Sequence, residues 1–577
     1  MIMIQANRND AVKLHRGGIF KTIQCRKLIA MLMALVLCTA SDAQDKTTEI
    51  DKFFSWSTPT TPGCVCAVSQ NGKVVVNRAY GSADLERDVP LSPNSVFDIG
   101  SVRKQFVAAA VLLLVEEGRL SLSDDIRKHF PELPDYGHRI TVDHLLTHTS
   151  GIRDWTGIRP LAEGDPELLT LIFRQRGLNF APGEEWSYSN SGYVLLTDLV
   201  ARASGMSFGD FSRKRLFEPL GMKSTVYGED PLAIIKNRAL AYEKEGNNWK
   251  LGVLLGKERG KGSGAILSTA SDLVIWNDAL TSGRLGAFVT EKLHEPATLN
   301  NGRKLRYARG LNVENRGVDK LVWHSGGAAG YSTLSVRLPE QKLSVAIVCN
   351  VDGGAKSEYT RRIIDLFIPS AALDSTAKAS TPAINAGGVN VTASDINGRA
   401  GLFFNEQTGQ PLRLAANNNT LTIAGSSPLV AVANDRFKNQ GGALFFMSEA
   451  QFELQFLSAD LFEIKTKEGE TMRYRRAPKA YTPTADELNT FAGLYESNEM
   501  GSVLEVVPEK GGLVMRFYRN PTKALQFKPV DRDLFMLGMM TVRFLRDKNG
   551  KVVGYNYSNP VVRNIKFTRM GDAVSSR

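Results

Sequence analysis

Residues 101–118 read SVRKQFVAAAVLLLVEEG. Phe106 to Val115 is an almost unbroken apolar run and Gly118 ends the pattern, so the sequence predicts a helix from Ser101 to Glu117. A helix that is apolar on nearly every side is a buried helix. We therefore expect this element to lie in the interior of a globular domain, covered on nearly all sides.

Strand patterns lie on both sides of this helix along the chain. Upstream, residues 63–80 read as a hairpin. Between about 120 and 280, helical segments alternate with loops rich in Gly, Pro and Asp, and a helix from Arg361 to Phe367 closes the region. Strand character returns after residue 320 in three short runs, at 321–323, 332–336 and 343–348. The sequence therefore predicts an α/β domain over 44–370, whose antiparallel sheet is assembled from both ends of that region.

The C-terminal part of the chain contains an internal repeat. Ala-Gly-Leu-Phe at 400–403 recurs as Ala-Gly-Leu-Tyr at 492–495, a shift of 92 residues. Both copies are full of short alternating strands with Asn and Gly turns, and neither has a convincing helix. We predict two small antiparallel β-barrels in tandem, over 392–480 and 481–577, after a linker at 371–391 that is rich in Ala, Ser, Thr and Pro.

The N-terminus reads as an export signal. A basic stretch ends at Arg26-Lys27 and is followed by an apolar run from Leu28 to Ala40, which is too short to span a bilayer. Ser41-Asp42-Ala43 supplies small residues for cleavage before Gln44. We predict a signal peptide over 1–43 and a periplasmic or secreted mature protein without a transmembrane segment.

The net charge of the chain indicates which classes of binding partner are expected. The formal net charge is +11, and part of it belongs to the N-terminal stretch. The remaining surplus favours anionic surfaces, so association with the cell wall is a candidate interaction. No basic cluster is interleaved with aromatic residues, which argues against nucleic acid.

Only three cysteines follow the predicted signal peptide: Cys64, Cys66 and Cys349. Cys64 and Cys66 are two residues apart in a predicted strand, so they point to the same face and do not readily bridge each other. Two alternatives remain: three small buried hydrophobes, or a disulfide between Cys349 and one of the other two.

The start of the long helix carries the first chemical motif. Ser101 and Lys104 are three residues apart, which places their side chains on one helix face within contact range. A serine hydroxyl is a poor nucleophile until a base takes its proton, and a lysine that is held close and partly desolvated can be that base. The helix N-terminus also favours developing negative charge. Alone the motif is weak, because an N-cap serine followed by a surface lysine has the same pattern.

A second motif is Tyr188-Ser189-Asn190. A phenol beside an ammonium group is expected to have a lowered pKa, so Tyr188 would shuttle protons between nucleophile and leaving group. Asn190 would orient Lys104 and donate to a substrate carbonyl. The ordinary alternative is a loop tyrosine and a turn asparagine.

The third motif, His324-Ser325-Gly326-Gly327, follows a predicted strand. Glycines at Gly326 and Gly327 would let a substrate lie against the strand edge, and backbone N–H groups there would complete an oxyanion hole.

The order Ser-x-x-Lys, Tyr-x-Asn, His-x-Gly resembles the class C β-lactamase and penicillin-recognising enzyme superfamily. The resemblance covers roughly residues 50–370, with supporting stretches at 145–151, 182–184 and 264–273. It implies that Ser101 is the acylated nucleophile, that Lys104 and Tyr188 are the general bases, and that the backbone N–H groups of Ser101 and Gly327 form the oxyanion hole. The tandem barrels are similar to those of the D-aminopeptidase branch. Most similar enzymes have a lysine where this chain has His324, which implies weaker binding of a substrate carboxylate, because histidine is mostly neutral at pH 7.

Three other patterns deserve comparison with these motifs. Gly205-Met206-Ser207-Phe208-Gly209 fits the nucleophile elbow of α/β-hydrolases, but a helix rather than a strand is predicted before Ser207. His144 and His148 have the spacing of metal ligands without the expected glutamate or a third ligand, so loop hydrogen bonding is the favoured role. The glycines of 260–264 lack the spacing of a phosphate loop.

We therefore predict an exported serine hydrolase that cleaves amide or ester bonds through an acyl-enzyme on Ser101, with D-residue peptides as the leading substrate class. The partner is a small-molecule or peptide substrate, and no metal or organic cofactor is expected. One alternative is a β-lactamase or DD-carboxypeptidase, and another is a catalytically idle protein that binds cell-wall peptides.

Overall fold

The computed structural model describes residues 45–230, 233–252, 264–316, 319–368, 391–417, 420–423, 428–439, 452–466, 469–478, 481–509 and 511–570. The predicted signal peptide and its cleavage site lie outside these residues, as do all but the last residue of the predicted linker and most of the glycine-rich 260–264 stretch.

The first domain contains a six-stranded antiparallel sheet and three small two- or three-stranded sheets. Its strands, in chain order, are β1 (Cys64–Gln70), β2 (Lys73–Tyr80), β3 (Ser82–Asp84), β4 (Val89–Pro90), β5 (Phe97–Asp98), β6 (Val226–Gly228), β7 (Tyr242–Glu245), β8 (Asn248–Leu251), β9 (Ala265–Ser268), β10 (Asn312–Arg316), β11 (Asp319–Ala328), β12 (Tyr331–Leu338) and β13 (Leu343–Cys349). The large sheet has the order β10-β11-β12-β13-β1-β2, so the last strand of the domain pairs with the first. This confirms the sheet predicted from both ends.

Helices cover both faces of the large sheet. They are α1 (45–53), α2 (Lys104–Glu116), α3 (Val142–Leu146), α4 (Trp155–Ile158), α5 (Leu168–Arg174), α6 (Asn190–Ser204), α7 (Phe208–Ser212), α8 (Glu218–Leu220), α9 (Ala270–Thr281), α10 (Ala287–His294) and α11 (Ser357–Phe367). Helices α1 and α11 pack on one face, whereas α9 packs on β1 and β13 from the other, with α2, α6 and α10 behind it. Among the described residues, no helix is long and apolar enough to cross a membrane.

Helix α2 is buried as its sequence predicts, since every residue from Lys104 to Leu114 is buried. The helix begins later than predicted, because Gly100–Arg103 forms a tighter 3₁₀ turn. Gly100 has a φ of +54°, a conformation that glycine adopts without strain. A Cβ at Gly100 would lie 2.7 Å from the backbone nitrogen of Gly327, so this turn approaches β11 at backbone distance.

The register of the large sheet places Cys64 directly opposite Cys349, and the two form a disulfide. Of the two cysteine alternatives, the structure therefore contains the disulfide. Cys66 is a free, buried thiol, and burial raises its pKa to about 12. A thiol that stays protonated is a poor nucleophile, so Cys66 serves as a small apolar side chain.

Two closed eight-stranded antiparallel barrels follow, as predicted. The first comprises β14 (Gly401–Asn405), β15 (Pro411–Asn417), β16 (Thr420–Ile423), β17 (Pro428–Ala433), β18 (Arg436–Lys438), β19 (Phe452–Ser458), β20 (Leu461–Thr466) and β21 (Thr471–Arg476). The second comprises β22 (Gly493–Ser497), β23 (Ser502–Glu509), β24 (Gly512–Phe517), β25 (Asn520–Asp531), β26 (Leu534–Leu537), β27 (Met540–Arg546), β28 (Val552–Asn559) and β29 (Val562–Arg569).

The expectation that neither repeat contains a helix is wrong. A short helix precedes each barrel, α12 (Ala393–Arg399) and α13 (Ala485–Asn489). Thr392 and Thr484 cap these helices by accepting a hydrogen bond from the backbone three residues on. Threonine followed at that distance by Asp or Glu is a helix-start signal, and it was present in both copies.

The two barrels are attached differently. The apolar side chains inside the second barrel form one continuous core with the helical region of the first domain, whereas those inside the first barrel form a core of their own. A Cβ on Gly157, which lies in α4, would lie within 2.8 Å of side-chain atoms of Asn559, Val561 and Val562. The second barrel is therefore packed directly onto the first domain.

Candidate active site

The predicted nucleophile and base are adjacent in space. Ser101 lies in the 3₁₀ turn before α2, and Lys104 is the first residue of α2. The side-chain nitrogen of Lys104 lies 3.2 Å from the Ser101 hydroxyl oxygen. One helical turn fixes this contact, because residues three apart lie on the same side of the helix.

Lys104 is fully buried, and its environment favours the neutral amine. Burial lowers its pKa well below the usual 10.5, and the neighbouring Arg103 lowers it further, while Asp154 has the opposite effect. A neutral amine can accept a proton, so the geometry and the pKa of Lys104 together suit a general base.

Asn190 holds Lys104, and Asp154 holds Asn190. The side-chain oxygen of Asn190 accepts a hydrogen bond of 2.8 Å from Lys104. Asp154 caps α4, and its carboxylate also accepts hydrogen bonds from the backbone N–H and the side-chain amide of Asn190. The contact of Asn190 with Lys104 was predicted from the sequence, whereas Asp154 was missed. An aspartate before a helix is a recognisable N-cap, yet its contact with Asn190 depends on how α4 and α6 pack.

Tyr188 lies against Lys104 as predicted, but the expected direction of its pKa is wrong. The Lys104 nitrogen is 4.5 Å from the centre of the Tyr188 ring. Burial raises the pKa of Tyr188, and the nearby Ser101 hydroxyl and Arg103 only partly offset this effect. The prediction relied on a positive charge on Lys104 and neglected burial. Burial raises the pKa of Tyr188 directly, and it also favours the uncharged form of Lys104. Tyr188 is therefore a protonated phenol, and its hydroxyl makes no hydrogen bond of good geometry to any described residue.

The two glycines of the third motif have different surroundings. A Cβ at Gly326 would lie 2.0 Å from the carbonyl oxygen of Ile99 and 3.2 Å from the nitrogen of Ser101. Glycine at this position thus lets the nucleophile turn lie against β11. Gly327 is exposed, and a Cβ there would meet no described atom within 4 Å. Pairing of β10 with β11 stops at Trp323. The 3₁₀ turn that carries Ser101 therefore meets the edge of β11 at Gly327 without an intervening strand.

His324 is buried and belongs to a chain of hydrogen bonds that the sequence did not reveal. The hydroxyl of Tyr307 lies 3.1 Å from Nε2 of His148 and 3.1 Å from Nε2 of His324. The backbone N–H of Ser189 donates to Nδ1 of His148, and Nδ1 of His324 lies 2.6 Å from the carbonyl oxygen of Ser325.

These contacts allow one consistent set of hydrogens. His148 accepts at Nδ1, so its Nε2 carries hydrogen and donates to Tyr307. The Tyr307 hydroxyl then donates to Nε2 of His324, whose Nδ1–H donates to Ser325. Burial and the nearby Lys104 lower the pKa of His324 to about 3 and that of His148 well below 6.5. Both imidazoles are neutral, and both nitrogens of His324 are occupied.

The second barrel reaches both active-site loops through the hairpin that joins β28 to β29. The carbonyl oxygen of Val561 accepts hydrogen bonds from the backbone N–H of Asp154 at 3.3 Å and from the side chain of Asn179 at 2.9 Å. Arg563 makes a two-point ion pair with Glu185, at 3.1 and 2.8 Å, three residues before Tyr188. This hairpin therefore contacts the segments that carry Asp154 and Tyr188.

The first barrel makes polar contacts near the same place. Arg303 pairs with Glu470 at 2.7 Å, and Gln410 donates to the carbonyl oxygen of Asn559 in the second barrel. A cavity of about 320 Å³ lies where the first domain and both barrels meet, and Trp186 and Tyr307 form part of its wall.

The alternative motifs take structural roles. Ser207 is the N-cap of α7, with its hydroxyl accepting from the backbone of Asp210, and helix α6 precedes it as expected. His144 completes the cap of α3 by accepting from the backbone of Thr141. His148 instead contacts Ser189 and Tyr307, as described above.

Comparison with known proteins identifies the family of this chain. The family model described as Beta-lactamase matches residues 50–368. Penicillin-binding protein 4* of Bacillus subtilis is 30% identical over 321 residues, which cover 51% of this chain and 69% of that protein. A D-aminopeptidase of Brucella anthropi is 25% identical over 544 residues, which cover 88% of this chain and 95% of that protein.

Among solved structures, one described as SurE superposes with a TM-score of 0.51 at 20% identity, covering 76% of this chain and 99% of that chain. This last likeness concerns the fold. The chain belongs to the Beta-lactamase family, in the branch of penicillin-binding proteins and D-aminopeptidases, and it is a serine hydrolase.

Proposed function

We propose that this hydrolase forms an acyl-enzyme on Ser101 and cleaves amide or ester bonds, with D-residue peptides as the leading substrates. The observation that carries the proposal is the buried Lys104 within 3.2 Å of the Ser101 hydroxyl. Similarity over most of the chain to a D-aminopeptidase supports the substrate class. The basic and apolar N-terminal residues support export to the periplasm or medium, where cell-wall peptides are available.

The lowered pKa of Lys104 makes it the proton acceptor, and the raised pKa of Tyr188 makes it the proton donor. Neutral Lys104 takes the proton of Ser101 as the hydroxyl oxygen attacks the carbonyl carbon. The backbone N–H groups of Ser101 and Gly327 donate to the carbonyl oxygen as it gains negative charge. Tyr188, which stays protonated, then donates its proton to the leaving nitrogen or oxygen. In the second half of the reaction, water attacks the acyl carbon and gives its proton to Tyr188. Lys104 then returns its proton to the Ser101 oxygen as the acyl group leaves.

The state of His324 favours substrates without a carboxylate at that position. Its ring is neutral, and both nitrogens are already hydrogen-bonded within the protein. A charge-assisted hydrogen bond to a carboxylate contributes roughly 1.5–3 kcal/mol, and this site does not supply one through His324. Neutral amides and esters are therefore proposed as better substrates than penicillins.

Labelling of the purified protein with a fluorophosphonate probe tests this proposal. Ser101→Ala and Lys104→Ala should each reduce labelling and hydrolysis of a D-amino-acid amide by about 10³-fold or more, and the double variant should lose little more. Tyr188→Phe should also be severe, and Ser207→Ala is the matched serine control. Activity that survives Ser101→Ala but not Ser207→Ala would reject the site, whereas labelling by fluorescent penicillin without turnover would indicate a binding protein.

A further inference from the structure

A carboxylate of the second barrel is buried against the first domain. Glu499 lies in the turn between β22 and β23, and it is only 9% exposed. Its Oε1 accepts a hydrogen bond of 2.7 Å from the Arg153 guanidinium and a second one from the backbone N–H of Arg176. Glutamate is almost never buried to this extent unless it is paired. The contact with Arg153 is therefore an interior ion pair between two domains.

The guanidinium of Arg153 takes most of its acceptors from the second barrel. Arg153 is 5% exposed. Besides the bond to Glu499, its Nη2 donates to the carbonyl oxygen of Asn564 at 3.0 Å, whereas the first domain supplies the side-chain oxygen of Gln175 at the longer distance of 3.5 Å. A Cβ at Gly177 would lie 3.1 Å from Nη2, so the guanidinium has little room to turn elsewhere. The second barrel therefore sets the position of the Arg153 side chain.

The next residue along the chain connects this ion pair to the proposed catalytic base. Arg153 and Asp154 share a planar peptide unit that keeps their Cα atoms about 3.8 Å apart, so a shift of one is passed to the other. The Asp154 carboxylate accepts hydrogen bonds from Asn190, and the side-chain oxygen of Asn190 accepts one of 2.8 Å from Lys104. A continuous series of contacts thus leads from Glu499 to the amine of Lys104.

Docking of the barrel does not by itself require the ion pair. Met500, which follows Glu499, is fully buried in the apolar core that the barrel shares with the first domain. Ser502 adds a buried hydrogen bond of 2.7 Å to the carbonyl oxygen of Leu161 in the same interface. Replacement of a buried ion pair by apolar side chains of similar size is often neutral or stabilising. The apolar contacts therefore suffice to hold the barrel, and the contacts of Glu499 call for another role.

We propose that Glu499 is a positioning residue for Lys104 and acts on it from the second barrel through Asp154. The inference rests on the proposed function, because it assigns Glu499 a part in the reaction at Ser101. Hydrogen bonds to a charged group are short and directional, so they fix an orientation that apolar contacts leave open. A displacement of reacting groups by about 1 Å can lower a rate by up to 10²-fold.

Glu499→Ala in the full-length protein tests this role. We expect kcat for a D-amino-acid amide to fall about 10- to 10²-fold with KM nearly unchanged, when the rate is expressed per active site as counted by fluorophosphonate labelling taken to completion. A residue that only stabilised the fold would reduce the number of active sites and leave the kcat of each site intact. Glu499→Gln keeps the accepting oxygen and should restore most of the lost kcat. Ser502→Ala is the matched control, because it removes a buried contact from the same interface and should lower Tm without lowering kcat.

A double-mutant cycle shows whether the effect passes through Asp154. In protein that already carries Asp154→Ala, the further change Glu499→Ala should lower kcat less than about twofold, because the connection to Lys104 is already broken. If Glu499→Ala does not fold, Arg153→Met combined with Glu499→Leu removes the ion pair and keeps side chains of similar size, and the same loss of kcat is expected.

Three outcomes overturn the inference: an unchanged kcat per active site in these variants, an equal loss of kcat in Ser502→Ala, or the same loss from Glu499→Ala with and without Asp154→Ala. Each is distinct from failure of the proposed function, which would be seen as activity that survives Ser101→Ala.

Discussion

Replacing Arg563 with alanine should slow acylation of Ser101, although Arg563 belongs to the second barrel. The arginine pairs with Glu185, and its backbone N–H and guanidinium also donate to Asn179. Both partners lie on the loop that leads to Tyr188. Loss of the arginine frees this loop, so the Tyr188 hydroxyl spends less time where the leaving group needs its proton.

The expected size of the effect follows from the geometry of the ion pair. The side chains of Arg563 and Glu185 are 19% and 23% exposed and make two contacts, at 3.1 and 2.8 Å. A partly buried two-point pair of this kind contributes about 1–3 kcal/mol, more than an exposed pair. If about 1.4 kcal/mol of this is lost from the acylation transition state, the rate falls about tenfold. A displacement of reacting groups by about 1 Å would cost up to 10²-fold.

The assay is kcat and KM of the full-length protein for an amide substrate, because the leaving nitrogen of an amide needs the proton of Tyr188, whereas the fluoride lost from a fluorophosphonate does not. Arg546→Ala is the matched control, since Arg546 also belongs to the second barrel and pairs with Asp533 at side-chain exposures of 20% and 28%. It lies over the Phe491 ring, as Arg563 lies over a phenylalanine ring. Both variants should lose similar stability, but only Arg563→Ala should lose kcat.

The pH dependence separates a local effect from partial unfolding. Activity should rise with pH as Lys104 loses its proton, and burial together with Arg103 lowers the pKa at which this happens. A freed loop admits water, so the Lys104 pKa moves back up towards 10.5 and the rising limb shifts to higher pH. Unfolding would instead lower the rate by one factor at every pH. If Arg563→Ala and Arg546→Ala have the same kcat, and if activity rises over the same pH range in both, the positioning role of the hairpin is refuted.

Two further changes test other parts of the structure. His324→Lys should raise the ratio of cephalosporin turnover to ester turnover about 10- to 150-fold, because a cation near the substrate would contribute the missing charge-assisted hydrogen bond; His324→Gln is the neutral control, and an unchanged ratio would contradict this account. Gly157→Val should lower Tm and weaken docking of the second barrel, because even a Cβ there lies 2.7 Å from a Val562 methyl group; Gly398→Val, also in a short helix but with no described atom within 4 Å of its Cβ, is the matched control, and equal Tm values would contradict the close approach.

The features that the sequence predicted well follow from short-range periodicity or from the 92-residue repeat. The buried helix α2 and the strands at both ends of the domain follow from spacings of two to four residues, and the tandem barrels follow from one long repeat. Only the start of α2 was placed too early, at Ser101 instead of Lys104. The contact between Ser101 and Lys104 was predictable for the same reason, since one turn of helix fixes it. Their partners depend on tertiary packing: Asp154 reaches Asn190 only because α4 abuts the start of α6.

The residues that the sequence did not reveal depend on tertiary packing and also lack a local sequence pattern. Tyr307 and the hairpin carbonyl of Val561 carry no local signature, because a tyrosine in an irregular stretch and a backbone oxygen look ordinary in a sequence. Their roles come from neighbours more than a hundred residues away, such as His148 for Tyr307. The direction of the Tyr188 pKa was also out of reach, because spacing identifies the neighbouring charge while burial is known only from the fold.

A single physical cause sets the protonation of the whole site. Burial lowers the pKa of Lys104 and raises that of Tyr188, so it produces an unprotonated base and a protonated acid side by side. The same burial lowers the pKa of His324 to about 3, so its imidazole is too weak a base to compete with Lys104 for the proton of Ser101. Exclusion of water is therefore a catalytic property in the proposed mechanism, and the second barrel contributes to it by closing the loops of Asp154 and Tyr188. This accounts for a barrel core that is continuous with the first domain: an element that only tethered the enzyme to a surface would need no shared core.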